Sequence, residues 1–283
     1  MARLLRDLDY LRVIQADNLS QIIEANSQIQ KDTEQAAQAE MIGYLSQRYK
    51  VATVFSDTKI FSSSAVYNAK QLVEFTADAF SASSTYTTGQ YVLQGGYIYK
   101  SIAGSAAHAF LLAEWTLICL DKTLYFVTLP ENEYLSTTTY SIGDSVWFEN
   151  KVYTALVNIK GIDPSYSAYW GTGTTYSVTG TFPDDATKWT QGDNRNALIV
   201  QYLLDITLYH LHSRINPRNI PDLRKERYNG NDPMDRGGAI GYLKAVASGD
   251  VNCDLPTIDP SQGLSIRWGN VDGSTTRTSN KYW

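Results

Sequence analysis

The feature that most restricts the fold of this chain is a repeat near its middle. Residues 85–100 read TYTTGQYVLQGGYIYK and residues 139–154 read TYSIGDSVWFENKVYT, and the two segments align without a gap. In both, a glycine is followed by alternating β-branched and aromatic residues, and tryptophans come after each copy. The glycine permits a turn, and the alternation predicts a hairpin with side chains on opposite faces. Such self-similarity predicts two copies of one small β unit.

The segments on either side of the repeat have helical patterns instead. The N-terminal segment lacks proline and favours helix, with one helix expected around residues 18–30 and an amphipathic one over 30–49. Residues 196–212 are apolar nearly all round, which is typical of a buried central helix. A last helical pattern follows Pro233 and is expected to stop at Gly249.

These zones predict an α+β fold, in which both chain ends form one helical domain around a β-rich insertion of two small repeated units. Neither end carries enough apolar surface to form a core alone, so the ends are expected to pack together. The expected bounds are 1–60 and 193–254 for the helical domain, 61–192 for the insertion with copies at about 81–130 and 135–192, and 255–283 for an extended, mobile C-terminal tail.

Charge, cysteine content and hydropathy narrow the class of protein. The formal net charge of −5 argues against a surface that neutralises nucleic-acid phosphates. Cys119 and Cys253 lie far apart, which favours a reducing compartment such as a bacterial cytosol over a disulfide framework. No apolar stretch approaches the ~20 residues that span a bilayer, and charges interrupt residues 4–14, so we expect neither a membrane partner nor a signal peptide.

The sequence contains no recognisable catalytic constellation. Neither G-x-S-x-G, H-E-x-x-H nor a phosphate-binding glycine loop is present. His210 and His212 are two residues apart, which puts their rings about 200° apart on a helix and disfavours a shared metal. Adjacent carboxylates such as Asp184 and Asp185 are typical of solvated turns. We therefore predict no catalytic, cofactor-binding or metal-binding residues, and no enzymatic activity.

The repeated pattern resembles the small chitin-binding type of carbohydrate-binding module. That family has a Y-x-x-G-x-x-V-x-x-x-G-x-x-Y run followed by a tryptophan, and its exposed aromatic rings stack on sugars. The resemblance implies that glycan or protein contacts would involve Tyr86, Tyr99, Trp115, Tyr140, Tyr153, Trp170 and Trp189. A second interpretation stays open, because very small β domains need large aromatic side chains to build their cores.

The two chain ends carry a second resemblance. Residues 42–49 read IGYLSQRY, the central helix is rich in apolar residues and is followed by Arg227 and Tyr228 before the last helix, and residues 242–251 read YLKAVASGDV. These three motifs, in this order, resemble the head–tail connector adaptors (head-completion proteins) of tailed bacteriophages. The departure is the large central insertion, where most members of that family have a short loop.

The adaptor resemblance implies a structural, non-enzymatic ring protein, commonly of twelve copies, that docks beneath the portal and continues the DNA channel towards the tail. Its expected partners are the portal protein, copies of itself, the next tail or neck protein, and genomic DNA that passes without sequence-specific binding. Its expected place is the head–tail junction of the virion, after synthesis in the host bacterial cytoplasm. The alternative function is a glycan-binding virion module that contacts bacterial surface polysaccharide.

Overall fold

The protein is a mixed α and β structure, with helices near both chain ends and short strands between them. The computed structural model describes residues 3–55, 58–104, 106–215, 217–230, 237–253 and 255–258, so most of the predicted tail lies outside the described residues. The helices are α1 (Asp7–Tyr10), α2 (Ala16–Ile22), α3 (Ser27–Leu45), α4 (Val51–Val54), α5 (Ala197–Ile215), α6 (Asp222–Asn229) and α7 (Gly238–Ser248).

Local signals explain where the helices begin and end. Asn26 caps α3, because its side chain accepts a hydrogen bond of 2.9 Å from the amide of Gln28. The helix predicted over 18–30 is wrong in extent, since Glu24 and Ala25 both have φ of 53° and separate α2 from α3. At the other end, Gly249 ends α7 in the left-handed conformation, with φ of 88°.

The helices share one hydrophobic core. Its buried side chains come from residues 4–55 and 199–253, and α3, α5 and α7 pack against one another. Nine residues of α5 are buried around its circumference, as its apolar composition predicts.

The strands between α4 and α5 are short and form five small sheets. They are β1 (Lys59–Ile60), β2 (Val66–Asn68), β3 (Leu72–Phe75), β4 (Tyr91–Gln94), β5 (Tyr97–Ser101), β6 (Trp115–Leu120), β7 (Thr123–Val127), β8 (Thr139–Tyr140), β9 (Ser145–Phe148), β10 (Lys151–Thr154), β11 (Ile159–Lys160), β12 (Thr174–Thr175), β13 (Ser177–Thr179) and β14 (Trp189–Gln191). The sheet orders are β1-β3-β7-β14, β4-β5-β6, β9-β10-β12, β8-β11 and β2-β13.

These strands build three copies of one unit, where the sequence analysis identified two. The first inner unit occupies residues 76–122 and the second inner unit occupies residues 129–175. The outer unit is formed by residues 59–75, 123–128 and 176–191, so it encloses both inner units along the chain. The hairpins of the three copies start at corresponding antiparallel pairs, namely Leu72 with Phe126, Tyr91 with Lys100, and Ser145 with Thr154.

The outer copy is hidden in the sequence for two physical reasons. Its hairpin has no short turn, because the whole first inner unit stands between β3 and β7. Its turn also lacks the glycine of the pattern: Lys70 adopts φ of 63° at the position where Gly89 and Gly143 adopt 89° and 92°. A periodic search for glycine and a tight hairpin therefore passes over it.

A tyrosine hydroxyl closes the first loop of each unit in the same way. It accepts a hydrogen bond from a backbone amide five residues earlier and donates one to the carbonyl of that same residue. The pairs are Tyr67 with Ser62 (2.6 and 3.1 Å), Tyr86 with Ser81 (2.7 and 3.3 Å), and Tyr140 with Leu135 (2.7 and 3.3 Å).

Candidate functional site

Most of the aromatic residues nominated from the sequence lie inside the β units. Trp115, Tyr140, Trp170 and Trp189 are buried, and Tyr86, Tyr99 and Tyr153 are half-buried. In each unit the tryptophan ring stands edge-on to the tyrosine described above, with ring centroids 5.3 to 5.5 Å apart. The four buried rings are therefore core residues and present no open face on which a sugar could stack.

Two of the tryptophans also form a hydrogen bond with the loop that precedes them. The indole nitrogen of Trp170 donates to the carbonyl of Ile162, and that of Trp189 donates to the carbonyl of Thr181, both at 3.0 Å. In the first inner unit the indole nitrogen of Trp115 is buried and finds no acceptor among the described residues. The loop before the tryptophan is thus anchored at corresponding points in the outer and second inner units.

In the second inner unit this loop exposes two tyrosines that the sequence analysis did not nominate. The amide of Tyr166 donates to the carbonyl of Asp163 at 3.2 Å, and the amide of Tyr169 donates to the carbonyl of Tyr166 at 3.0 Å. These two turns place Asp163, Tyr166 and Tyr169 on the wall of one cleft, with the tyrosines 58% and 38% exposed, and we call these three residues the row.

The row borders an open cleft of about 400 Å³. Its walls are formed by Tyr134, Ser136, Gly161, Ile162, Asp163, Tyr166 and Tyr169. The Asp163 carboxylate accepts hydrogen bonds from the amide of Ser165, at 2.8 Å, and from the Ser165 hydroxyl, which fixes its position at the rim. The wall of the cleft combines aromatic rings with one carboxylate, which can accept hydrogen bonds from hydroxyl groups, and it contains no lysine or arginine among the described residues. This combination suits an uncharged polyhydroxylated ligand better than an anion.

Counting back from the tryptophan gives the corresponding positions in the other copies. In the first inner unit they are His108, Leu111 and Glu114, and a ring nitrogen of His108 lies 3.3 Å from the Glu114 carboxylate. In the outer unit they are Phe182, Asp185 and Lys188. The aromatic row is therefore peculiar to the second inner unit, and aligning the three tryptophans is the sequence signal that would have found it.

The helical core brings the first and third sequence motifs of the chain ends together. A guanidinium nitrogen of Arg48 donates to the carbonyl of Val246 at 3.0 Å. A Cβ atom at Gly249 would lie 2.5 Å from that same nitrogen and would displace the guanidinium, and the φ of 88° itself favours glycine. Beyond the helix, the amide of Ile258 donates to the carbonyl of Arg48 at 2.8 Å and ties residues 255–258 to the first motif.

The second motif packs against the same core. The ring of Tyr228 stacks on Tyr209 with centroids 3.9 Å apart, and its hydroxyl donates to Glu40 at 2.7 Å. Burial and this hydrogen bond raise the pKa of Tyr228 above its ordinary value. His210 contacts the other oxygen of Glu40 at 2.8 Å, so this carboxylate links α3, α5 and α6.

Ion pairs hold the start of the chain against Arg195 and against the outer unit. Arg195, which precedes α5, contacts the buried Asp9 at 2.7 Å and also donates to the carbonyl of Leu4. Arg6 reaches Glu74 on β3 at 3.5 Å. Burial raises the pKa of Glu74, although the positive charge of Arg6 opposes this shift.

No protein-family model and no curated protein matches this chain. Within the described ranges, no group of three or more histidine, cysteine, aspartate or glutamate side chains is placed to hold a metal ion. No helix in the same part of the chain is long and apolar enough to cross a membrane.

Proposed function

We propose that this chain is a structural, non-enzymatic adaptor of the head–tail junction of a tailed bacteriophage. The observation that carries the proposal is the contact between the three motifs of the chain ends, which lie far apart in sequence. The first motif meets the third through Arg48 and Val246, and Tyr228 of the second motif donates to Glu40, two residues before the first motif. A helical frame built in this way from both ends can tolerate a large insertion, since the insertion need not contribute to its core.

In this proposal the helical frame forms a ring, commonly of twelve copies, between the portal and the next tail or neck protein. The β units face outward and decorate the neck. The formal net charge of −5 favours a channel through which DNA passes without being gripped, because a phosphate-binding surface would need an excess of lysine and arginine.

Electron microscopy of the concentrated protein, alone and mixed with its cognate portal, tests the adaptor function. Closed rings with a hole wide enough for DNA, or an added layer on the portal, are the expected result. The portal imaged alone is the control for that layer. Monomers that leave the portal unchanged would refute the proposal.

A second candidate function is saccharide binding at the cleft of the second inner unit, and the row of Asp163, Tyr166 and Tyr169 favours it. A pyranose ring carries an apolar C–H face that stacks on tyrosine, while the carboxylate accepts a hydroxyl hydrogen bond. The open cleft suits a ligand that lies along the surface. This function would attach the virion neck to bacterial surface polysaccharide.

Retention of the full chain on insoluble and capsular polysaccharides tests this second function. Replacing both Tyr166 and Tyr169 with alanine removes the stacking surface, so retention is expected to fall at least about tenfold. The matched control is Leu111→Ala, which removes a 52% exposed apolar side chain at the position of the first inner unit that corresponds to Tyr166, outside the cleft. Equal retention of the wild type, the double variant and the control would exclude the cleft as a saccharide site.

A further inference from the structure

The first inner unit has an exposed apolar surface that its own fold does not require. Tyr97 and Leu120 are paired on β5 and β6, and Leu117 pairs with Tyr99. The register shifts at Ile118, so Leu117 and Leu120 face the same side as Tyr97. These three side chains are 42, 52 and 57% exposed.

The three copies allow a direct comparison of the positions involved. The position of Leu117 holds Gln191 in the outer unit and Thr172 in the second inner unit. The position of Tyr97 holds Thr123 and Lys151. Because both other copies form the same hairpin with polar residues at these positions, folding does not account for the apolar side chains. Contiguous exposed apolar groups of this kind are typical of a docking surface.

We propose that this surface of the first inner unit binds residues 264–268 of a neighbouring copy of the chain. That segment reads LSIRW, with Leu264, Ile266 and Trp268 alternating with polar residues. Alternation of period two places the three apolar side chains on one face of an extended segment. Such a stripe complements the apolar surface formed by Tyr97, Leu117 and Leu120.

Length and charge favour the same occupant. The chain continues for 25 residues beyond Ile258 (283 minus 258), and an extended segment of that length reaches about 80 Å. Residues 259–283 contain three cationic and two acidic residues, a net charge of +1. The insertion over 61–192 contains six lysines and eleven acidic residues, a net charge of −5. Opposite charges therefore add attraction and orientation to the apolar contact.

Docking of one copy's tail on the next copy's β unit is a head-to-tail contact. Contacts of this type close into rings when the rotation between copies allows it. The role of a neighbouring copy rests on the proposed ring, but the contact itself needs no portal. It can therefore be tested separately from portal binding.

Full-length variants test the contact through self-association, measured by sedimentation at concentrations up to about 100 µM. Leu117→Lys damages the surface and Ile266→Lys damages the tail stripe, so each is expected to weaken association at least about tenfold. Thr116→Lys and Ser265→Lys introduce the same charge one residue away and are expected to associate like the wild type. Circular dichroism verifies that each variant folds.

The decisive experiment mixes the Leu117→Lys and Ile266→Lys variants. One variant retains an intact tail and the other an intact surface, so the mixture is expected to form one good contact and to recover heterodimers that neither variant forms alone. A wild-type chain that stays monomeric, or a mixture without recovery, would overturn the proposal. Loss of association with Leu117→Lys but not with Ile266→Lys would instead indicate that two apolar surfaces pair directly.

Discussion

The outer unit and the second inner unit have the same core and use their surfaces differently. Each closes its first loop with a tyrosine hydroxyl, and each anchors the loop before its tryptophan through the indole nitrogen. On that loop, however, the outer unit has Asp185 and Lys188 where the second inner unit has Tyr166 and Tyr169. The shared positions therefore carry the fold, and the divergent positions are free to carry function.

The two units also differ in their place along the chain. The outer unit consists of three separate segments and encloses both inner units, whereas the second inner unit is one continuous segment. Unfolding of the outer core is expected to destabilise both inner units, because they are inserted in it. Unfolding of an inner core can remain confined to that unit. Equivalent substitutions in the two units should therefore destabilise stretches of the chain of different length.

Removing the central tryptophan should have the largest effect and should separate the two units most clearly. Trp170→Ala and Trp189→Ala each leave a large cavity, and we expect each to cost about 3–5 kcal/mol of the stability of its own unit. Hydrogen exchange followed by mass spectrometry measures how far the damage spreads. Trp170→Ala should lose protection over 129–175, and Trp189→Ala over 59–191. Equal reach of the two variants would contradict the nested arrangement.

The second prediction concerns the tyrosine hydroxyl that the copies share. Tyr67→Phe and Tyr140→Phe remove a group that both accepts and donates, leaving the backbone amides of Ser62 and Leu135 without that acceptor. Each should cost about 1–3 kcal/mol of stability, with the greater cost for the more deeply buried Tyr67. Urea unfolding followed by tryptophan fluorescence measures the difference. Identical stability of Tyr140→Phe and the wild type would exclude a structural role for this hydrogen bond.

The limits of sequence-based prediction are visible at these same residues. The inner repeats could be predicted because each is continuous and keeps Gly89 or Gly143 at its turn. The outer copy could not, because Lys70 replaces that glycine and the hairpin partner lies beyond the first inner unit. The cleft was missed for another reason: the repeated aromatic residues were nominated, and repeated positions are those that the common core needs. Tyr166 and Tyr169 are not repeated, and only the alignment of all three copies makes them stand out.

The turn position gives a third, smaller prediction that sharpens the comparison. Gly143→Ala should cost about 1 kcal/mol, because the new Cβ meets nothing within 4 Å and only the positive φ of 92° opposes it. In the outer unit, Lys70→Gly removes the strain of a positive φ but also removes an exposed ion pair of 2.7 Å with Glu133. It should therefore change stability by less than the alanine variant does. Thermal unfolding of both variants, in low and high salt, separates the two contributions.

The smallest effect on stability is expected from the aromatic row itself. The Tyr166→Ala, Tyr169→Ala double variant removes exposed rings, and exposed positions outside such special features usually change stability by less than about 0.5 kcal/mol. Its unfolding curve should therefore overlay that of the wild type, in contrast to the large loss predicted for Trp170→Ala only one residue further along. A stability loss near that of Trp170→Ala would make the two tyrosines part of the core of the second inner unit. Retained stability with lost polysaccharide retention would instead assign them to binding, because the lost retention could not then be caused by unfolding.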